Sequence, residues 1–109
     1  MIKVKYHRDL NRVEVEGHAL SGEAGHDLVC ASASILTYTL ASFARNTQKA
    51  KQSKKLELKL KEGNSVVGCK AKKDYKIAIT LVFDAICGGF ELLARNYPDN
   101  ISYEIMGMK

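Results

Sequence analysis

Cys30 and His18 are the two residues in this chain whose types and separation invite covalent chemistry. They bracket a short loop carrying Gly22 and Gly25, within the stretch GHALSGEAGHDLVCASAS from Gly17 to Ser34. That loop leads from the end of a strand into a helix. Asp27 suits an N-cap ahead of the apolar pair Leu28-Val29, which puts Cys30 in the first helical turn. A helix N-terminus carries partial positive charge and favours thiolate over thiol. A histidine brought back over the glycine loop would hold or exchange the proton, so the pair has the makings of a nucleophile and its base. Residue types alone leave Cys30 open between nucleophile and inert thiol.

Two rival chemistries use the same or neighbouring residues. His18, His26 and Cys30 offer three nitrogen and sulfur donors of the kind zinc accepts. No fourth ligand lies nearby and the paired CxxC spacing of structural zinc sites is missing, so neither a metal nor another cofactor is expected. Cys69 and Cys87 fall at apolar positions and read as small core hydrophobes. The net charge of +5 is concentrated locally: Arg45, Lys49, Lys51, Lys54, Lys55, Lys59 and Lys61 face Glu57 as the one acid in their run. Such a run attracts an acidic or RNA-rich partner, and it equally describes a solvated helix end and strand face. The non-enzymatic alternative is therefore a ribosome- or RNA-associated binding module. No aromatic-rich RNA-binding signature interrupts the lysines, so nucleic-acid contact is not required by the sequence.

The stretch from Gly17 to Ser34 resembles the ribosomal-processing cysteine protease family Prp. That family's signature is Gly-His-Ala, a short glycine-bearing loop, then Gly-x-Asp-hydrophobic-Val-Cys-Ala-x-x-Ser. It is matched here by Gly17-His18-Ala19, Gly25, Asp27-Leu28-Val29-Cys30-Ala31 and Ser34. The resemblance implies a catalytic dyad of His18 and Cys30, supported by Gly17, Gly25, Asp27 and Ser34. It also implies an endopeptidase that removes the N-terminal extension of a large-subunit ribosomal protein after an aromatic residue, working as a homodimer. Asp27 stays open between capping the helix and orienting His18. Backbone N–H groups of the first helical turn, including that of Cys30, are candidates for holding an oxyanion. The loop from Leu20 to His26 is short and glycine-bearing, suited to opening for an extended peptide and closing over it.

The remaining residues must position that stretch. A chain of 109 residues suits a single domain, 1–109. A hydrophobic share of 46% with 27% charged residues is that of an ordinary globular protein. The first twenty residues alternate charge with apolar positions, unlike a signal or transit peptide. The apolar run around Ile77 to Phe83 is too short to cross a bilayer, so no membrane partner is expected. Free cysteines without secretory context point to the cytoplasm.

Residues 2–7 and 12–17 alternate with period two and predict paired strands, with Val4 opposite Val15 and Tyr6 opposite Val13. The same register sets Lys5 against Glu14 and Lys3 against Glu16. A helix from Leu28 to Arg45 follows, its apolar stripe supplied by Leu28, Ile35, Leu36, Thr39, Leu40 and Phe43. Ser34 lies one turn after Cys30, on the same face. A second hairpin turns at Gly63-Asn64, pairing Leu60 with Val67, Leu58 with Cys69 and Leu56 with Ala71. Residues 74–97 predict a second helix, with Ala78, Leu81, Val82, Ala85, Ile86, Gly89 and Leu93 at helical spacing and Ile79 and Phe83 extending the apolar surface beyond one face. Gly88-Gly89 costs that helix roughly 2 kcal/mol of propensity, a cost that close approach of another element would offset. Ile101, Tyr103 and Ile105 mark a last strand. The predicted fold class is α+β: a largely antiparallel sheet with two helices packed on one face, in the order ββαββαβ.

Overall fold

The computed structural model describes residues 1–18 and 26–108, with side chains for all of these except His26 and Asp27. In chain order the elements are β1 (Ile2–His7), a 3₁₀ turn (Arg8–Leu10), β2 (Arg12–Glu16), α1 (His26–Lys49), β3 (Ser53–Lys61), β4 (Asn64–Ala71), a second 3₁₀ turn (Lys73–Tyr75), α2 (Lys76–Asn96) and β5 (Ile101–Met106). The strands form one five-stranded sheet in the order β3-β4-β2-β1-β5. All neighbours are antiparallel except β1 and β5, which run parallel. The α+β class and the ββαββαβ order are those the sequence predicts.

The first hairpin takes the register that its two alternating faces demand, with Val4 opposite Val15, Tyr6 opposite Val13 and Lys5 opposite Glu14. A slip of one residue would have turned every apolar side chain of β1 to water. Ile2, Val4 and Tyr6 instead join Val13, Val67 and Ile101 under the helices, while Lys3 and Lys5 face solvent. On the open face a charged ladder crosses the sheet. Glu14 meets His7 at 2.8 Å and Arg12 at 2.7 Å, and Arg12 reaches Glu57 at 2.9 Å. Gly68, opposite both Arg12 and Glu57, leaves the room for that reach.

The second hairpin differs from its predicted register. Its two-residue turn is Glu62-Gly63, and Leu60 pairs with Ser65, Leu58 with Val67 and Lys61 with Asn64. Gly63 takes φ +77° at the second turn position, where a residue with a side chain would be strained. The pairing shifts by two, so each side chain keeps its face and Cys69 stays in the core, 4% exposed. A bulge between Lys54 and Glu57, with Lys55 at φ +53°, then resets the register.

Each helix buries a stripe that only partly overlaps the predicted one: Leu40 is shared in α1, and Ile79 and Phe83 carry the core contact in α2. In α1, Leu28 and Ile35 are exposed, while Val29, Ala33, Leu40, Ala41 and Ala44 make the core contact. In α2 the buried residues are Ile79, Thr80, Phe83, Cys87 and Phe90, and Leu81 is exposed. Alanines let α1 lie close to its neighbours, with Leu36 and Phe43 at the flanks of the contact. Gly89 marks where the helices touch: a Cβ there would stand 2.7 Å from Leu36 Cδ2. Gly88 faces open space.

By length and composition, Leu28–Lys49 and Lys73–Asn96 are each apolar enough to cross a membrane, contrary to the short run predicted. The difference arises because Ala, Thr, Cys and Gly extend the uncharged stretch past its bulky residues. Here each helix lies with one face on the sheet.

Candidate active site

Two ladders continue past the end of β2 and fix the backbone around His18. On one side the Gly17 N–H donates to the Gly63 carbonyl at 2.9 Å. On the other, the Met1 nitrogen donates to the His18 carbonyl at 2.8 Å. Gly17 has φ +91°, and a Cβ there would run into the Met1 carbonyl oxygen, so this position needs glycine twice over. His18 therefore stands exposed at one end of the sheet, held through its backbone.

Across from it, α1 presents Cys30 and Ser34 one turn apart. Val29, fully buried, anchors the start of the helix and leaves the Cys30 thiol half-buried. His18, Cys30, Ser34 and Gly17 all line one cleft of about 380 Å³, closed on the third side by the β3–β4 turn. Among the described residues, no side-chain hydrogen bond engages His18, Cys30 or Ser34.

The other two thiols are placed as core groups. Cys87 is fully buried, and burial pushes its thiol up to about 12. Burial likewise raises the Cys69 thiol, at the floor of a larger hollow of about 530 Å³ lined by Asn11, Lys55 and Lys76. That hollow is bigger than the Cys30 cleft, but histidine is missing from its walls and its thiol is covered. The smaller cleft is the one that joins an accessible thiol to an imidazole.

A family model described as cysteine protease Prp matches residues 1–102. The chain belongs to the Prp cysteine protease family. Among solved structures, SMU.848 of Streptococcus mutans is 27% identical with a TM-score of 0.65, covering 96% of this chain and 91% of that one. Two structures of the S. aureus ribosomal processing protease Prp share the fold. The one in complex with a substrate peptide is 18% identical with a TM-score of 0.67. The one with a covalently linked product peptide is 19% identical with a TM-score of 0.66. Each covers 96% of this chain and 97% of its own. No curated protein sequence matches the chain.

Within this Prp chain the helix start needs correcting. The described part of α1 runs from His26, so Asp27 lies within the helix and does not cap it, and the Cys30 N–H faces the His26 carbonyl one turn back. The Cys30 N–H is then spent on the helix's own ladder. An α-helix leaves the N–H groups of its first turn without intrahelical partners. The first apolar residue misleads here because a first helical turn has no need to be buried. Gly25 and the loop from Leu20 lie outside the described residues, as do the side chains of Asp27 and His26, and with them the ligand set His18, His26 and Cys30. Among the described residues, no group of three His, Cys, Asp or Glu side chains converges.

Tyr38 and Gly63 are among the cleft residues that escape the sequence reading. Tyr38 continues the Cys30–Ser34 face by one more turn and lines the cleft, half its surface exposed. Helical spacing alone would have found it. Gly63 comes from a turn distant in sequence and carried no such signal.

Proposed function

We propose that this chain is an endopeptidase working through a His18–Cys30 dyad, and that it removes the N-terminal extension of a large-subunit ribosomal protein in the cytoplasm. The observation carrying this reading is the shared cleft: Cys30 is the accessible thiol, and His18 and Ser34 line the same hollow. Cys30 thiolate attacks the scissile carbonyl while His18 takes up the thiol proton. The tetrahedral oxyanion leans on N–H groups at the start of α1. His18 then gives its proton to the leaving amine, and water hydrolyses the thioester with His18 as base.

The peptide substrate is supported by the S. aureus relative, which holds a substrate peptide in one structure and a covalently linked product in another. That relative is a ribosomal processing protease; the large subunit and the aromatic residue before the cut are what the family resemblance implies. A homodimer is the proposed working form, supported by Ile77, Leu81 and Leu92 exposed along α2. Sedimentation giving only monomer at micromolar concentration would remove that part.

The deciding experiment incubates the protein with an N-terminally extended ribosomal protein and reads the new N-terminus by mass spectrometry. His18→Ala should cut far more slowly, whereas His26→Ala should be mild. The reverse order would assign the base to His26.

A further inference from the structure

The β3–β4 turn does more than close its hairpin. Gly63 backs directly onto the His18 side chain: an added Cβ would land on Nε2, with Cε1 at 2.7 Å and Cδ2 at 3.1 Å. Nε2 and the two ring carbons beside it are the atoms nearest the space this residue leaves open. The same glycine accepts the Gly17 N–H through its carbonyl, at 2.9 Å. One residue thus holds the backbone just before His18 and packs against the Nε2 end of its imidazole.

We infer that Gly63 is a positioning residue for His18, and that the β3–β4 turn sets where the imidazole stands against Cys30. This rests on the reading of His18 as the base. A turn glycine needs φ +77° in any case, so the backbone alone would explain its presence. The contact with the ring is a second and separable requirement. The imidazole is the movable end of a side chain, so a Cβ at residue 63 pushes the ring aside at small cost to the fold. Misplacing a catalytic group by about 1 Å costs on the order of 100-fold in rate. The substitution should therefore separate turnover from stability.

Gly63→Ala is compared with Gly107→Ala. Gly107 also has a positive φ, +71°, and its added Cβ would meet the side chain of Asp9, in the 3₁₀ turn after β1 and outside the cleft lining. Both variants carry the same kind of backbone strain. The expected result is a similar drop in Tm for the two. For Gly63→Ala alone, kcat should fall roughly 100-fold with KM little changed, and the His18 ring resonances should shift in the NMR spectrum. Wild-type kcat in Gly63→Ala, or unmoved His18 resonances, would overturn the inference.

If Gly63→Ala does not fold, the double variant His18→Ala/Gly63→Ala decides. With the ring gone, it should lose no more stability relative to His18→Ala than Gly107→Ala loses relative to wild type. A double variant that also fails to fold shows that Gly63 serves the turn backbone alone, and overturns the inference. Should His18→Ala itself cleave normally, the dyad reading falls; the NMR comparison still reports whether the turn sets the ring.

Discussion

The two ends of β1 treat polar side chains in opposite ways. At the end after His7, Arg8 grips Asp84 of α2 through Nε and Nη2 at 3.0 Å each, and the Tyr6 hydroxyl donates to the same carboxylate at 2.8 Å. Beside them Asn11, fully buried, donates to Thr80 Oγ1 at 3.0 Å and accepts from Lys76 Nζ at 2.6 Å. The Arg8 hydrogen bonds hold the Asp84 carboxyl below its ordinary range. Burial pushes the Tyr6 hydroxyl upward, reinforced by its hydrogen bond to Asp84. At the other end, His18, Cys30 and Ser34 stand around a hollow, fixed by backbone and packing. A satisfied polar network rigidifies a fold, and a group already paired is not available to a substrate. One end ties α2 to the sheet, and the other leaves its chemistry unspent.

Substitutions on the two ends should therefore part activity from stability. Cys30→Ala should lower peptide cleavage by roughly 10⁴-fold or more, with Tm close to wild type because alanine suits a helix. Cleavage assays beside thermal melts check this, and retained activity would break the contrast at its strongest point.

Asp84→Ala should do the reverse. Losing both the Arg8 pair and the Tyr6 hydrogen bond should cost roughly 2 kcal/mol by chemical denaturation, with kcat unchanged. A fully buried pair would cost more, but Arg8 and Asp84 keep 26% and 32% of their side-chain surface in water. Because the Asp84 carboxyl is depressed in the folded protein, its contribution is present above the ordinary carboxylate range near about pH 4. It is lost as pH falls through the folded value. Asp84→Asn should flatten that acid limb of stability.

Between the ends lies the helix contact, which separates two adjacent glycines. Gly89→Ala meets Leu36 and should destabilise by about 1–2 kcal/mol, whereas Gly88→Ala should stabilise by up to about 1 kcal/mol. Neither should change kcat. The smallest effect belongs to the solvent face, where Arg12→Gln should cost a few tenths of a kcal/mol at low salt. That cost should fade in about 1 M salt if the ladder is only screened surface charge.

Where a demand repeated along one element, the sequence already determined the outcome. Strict alternation over residues 2–7 and 12–17 fixed the first hairpin, since one register alone satisfies both faces. Helical spacing put Cys30 and Ser34 on one side of α1, and apolar surroundings marked Cys69 and Cys87 as core. The glycine pair announced a close approach, although only one of the two makes it. Tertiary structure decided what depends on partners far along the chain. Which stripe of each helix is buried depended on how near alanines let α1 come. The second hairpin's register depended on a turn that also serves Gly17, and on a bulge that no alternation reveals. Gly63 reached the cleft for the same reason: its neighbour there is His18, forty-five positions earlier in the chain, and only the folded sheet brings the two together.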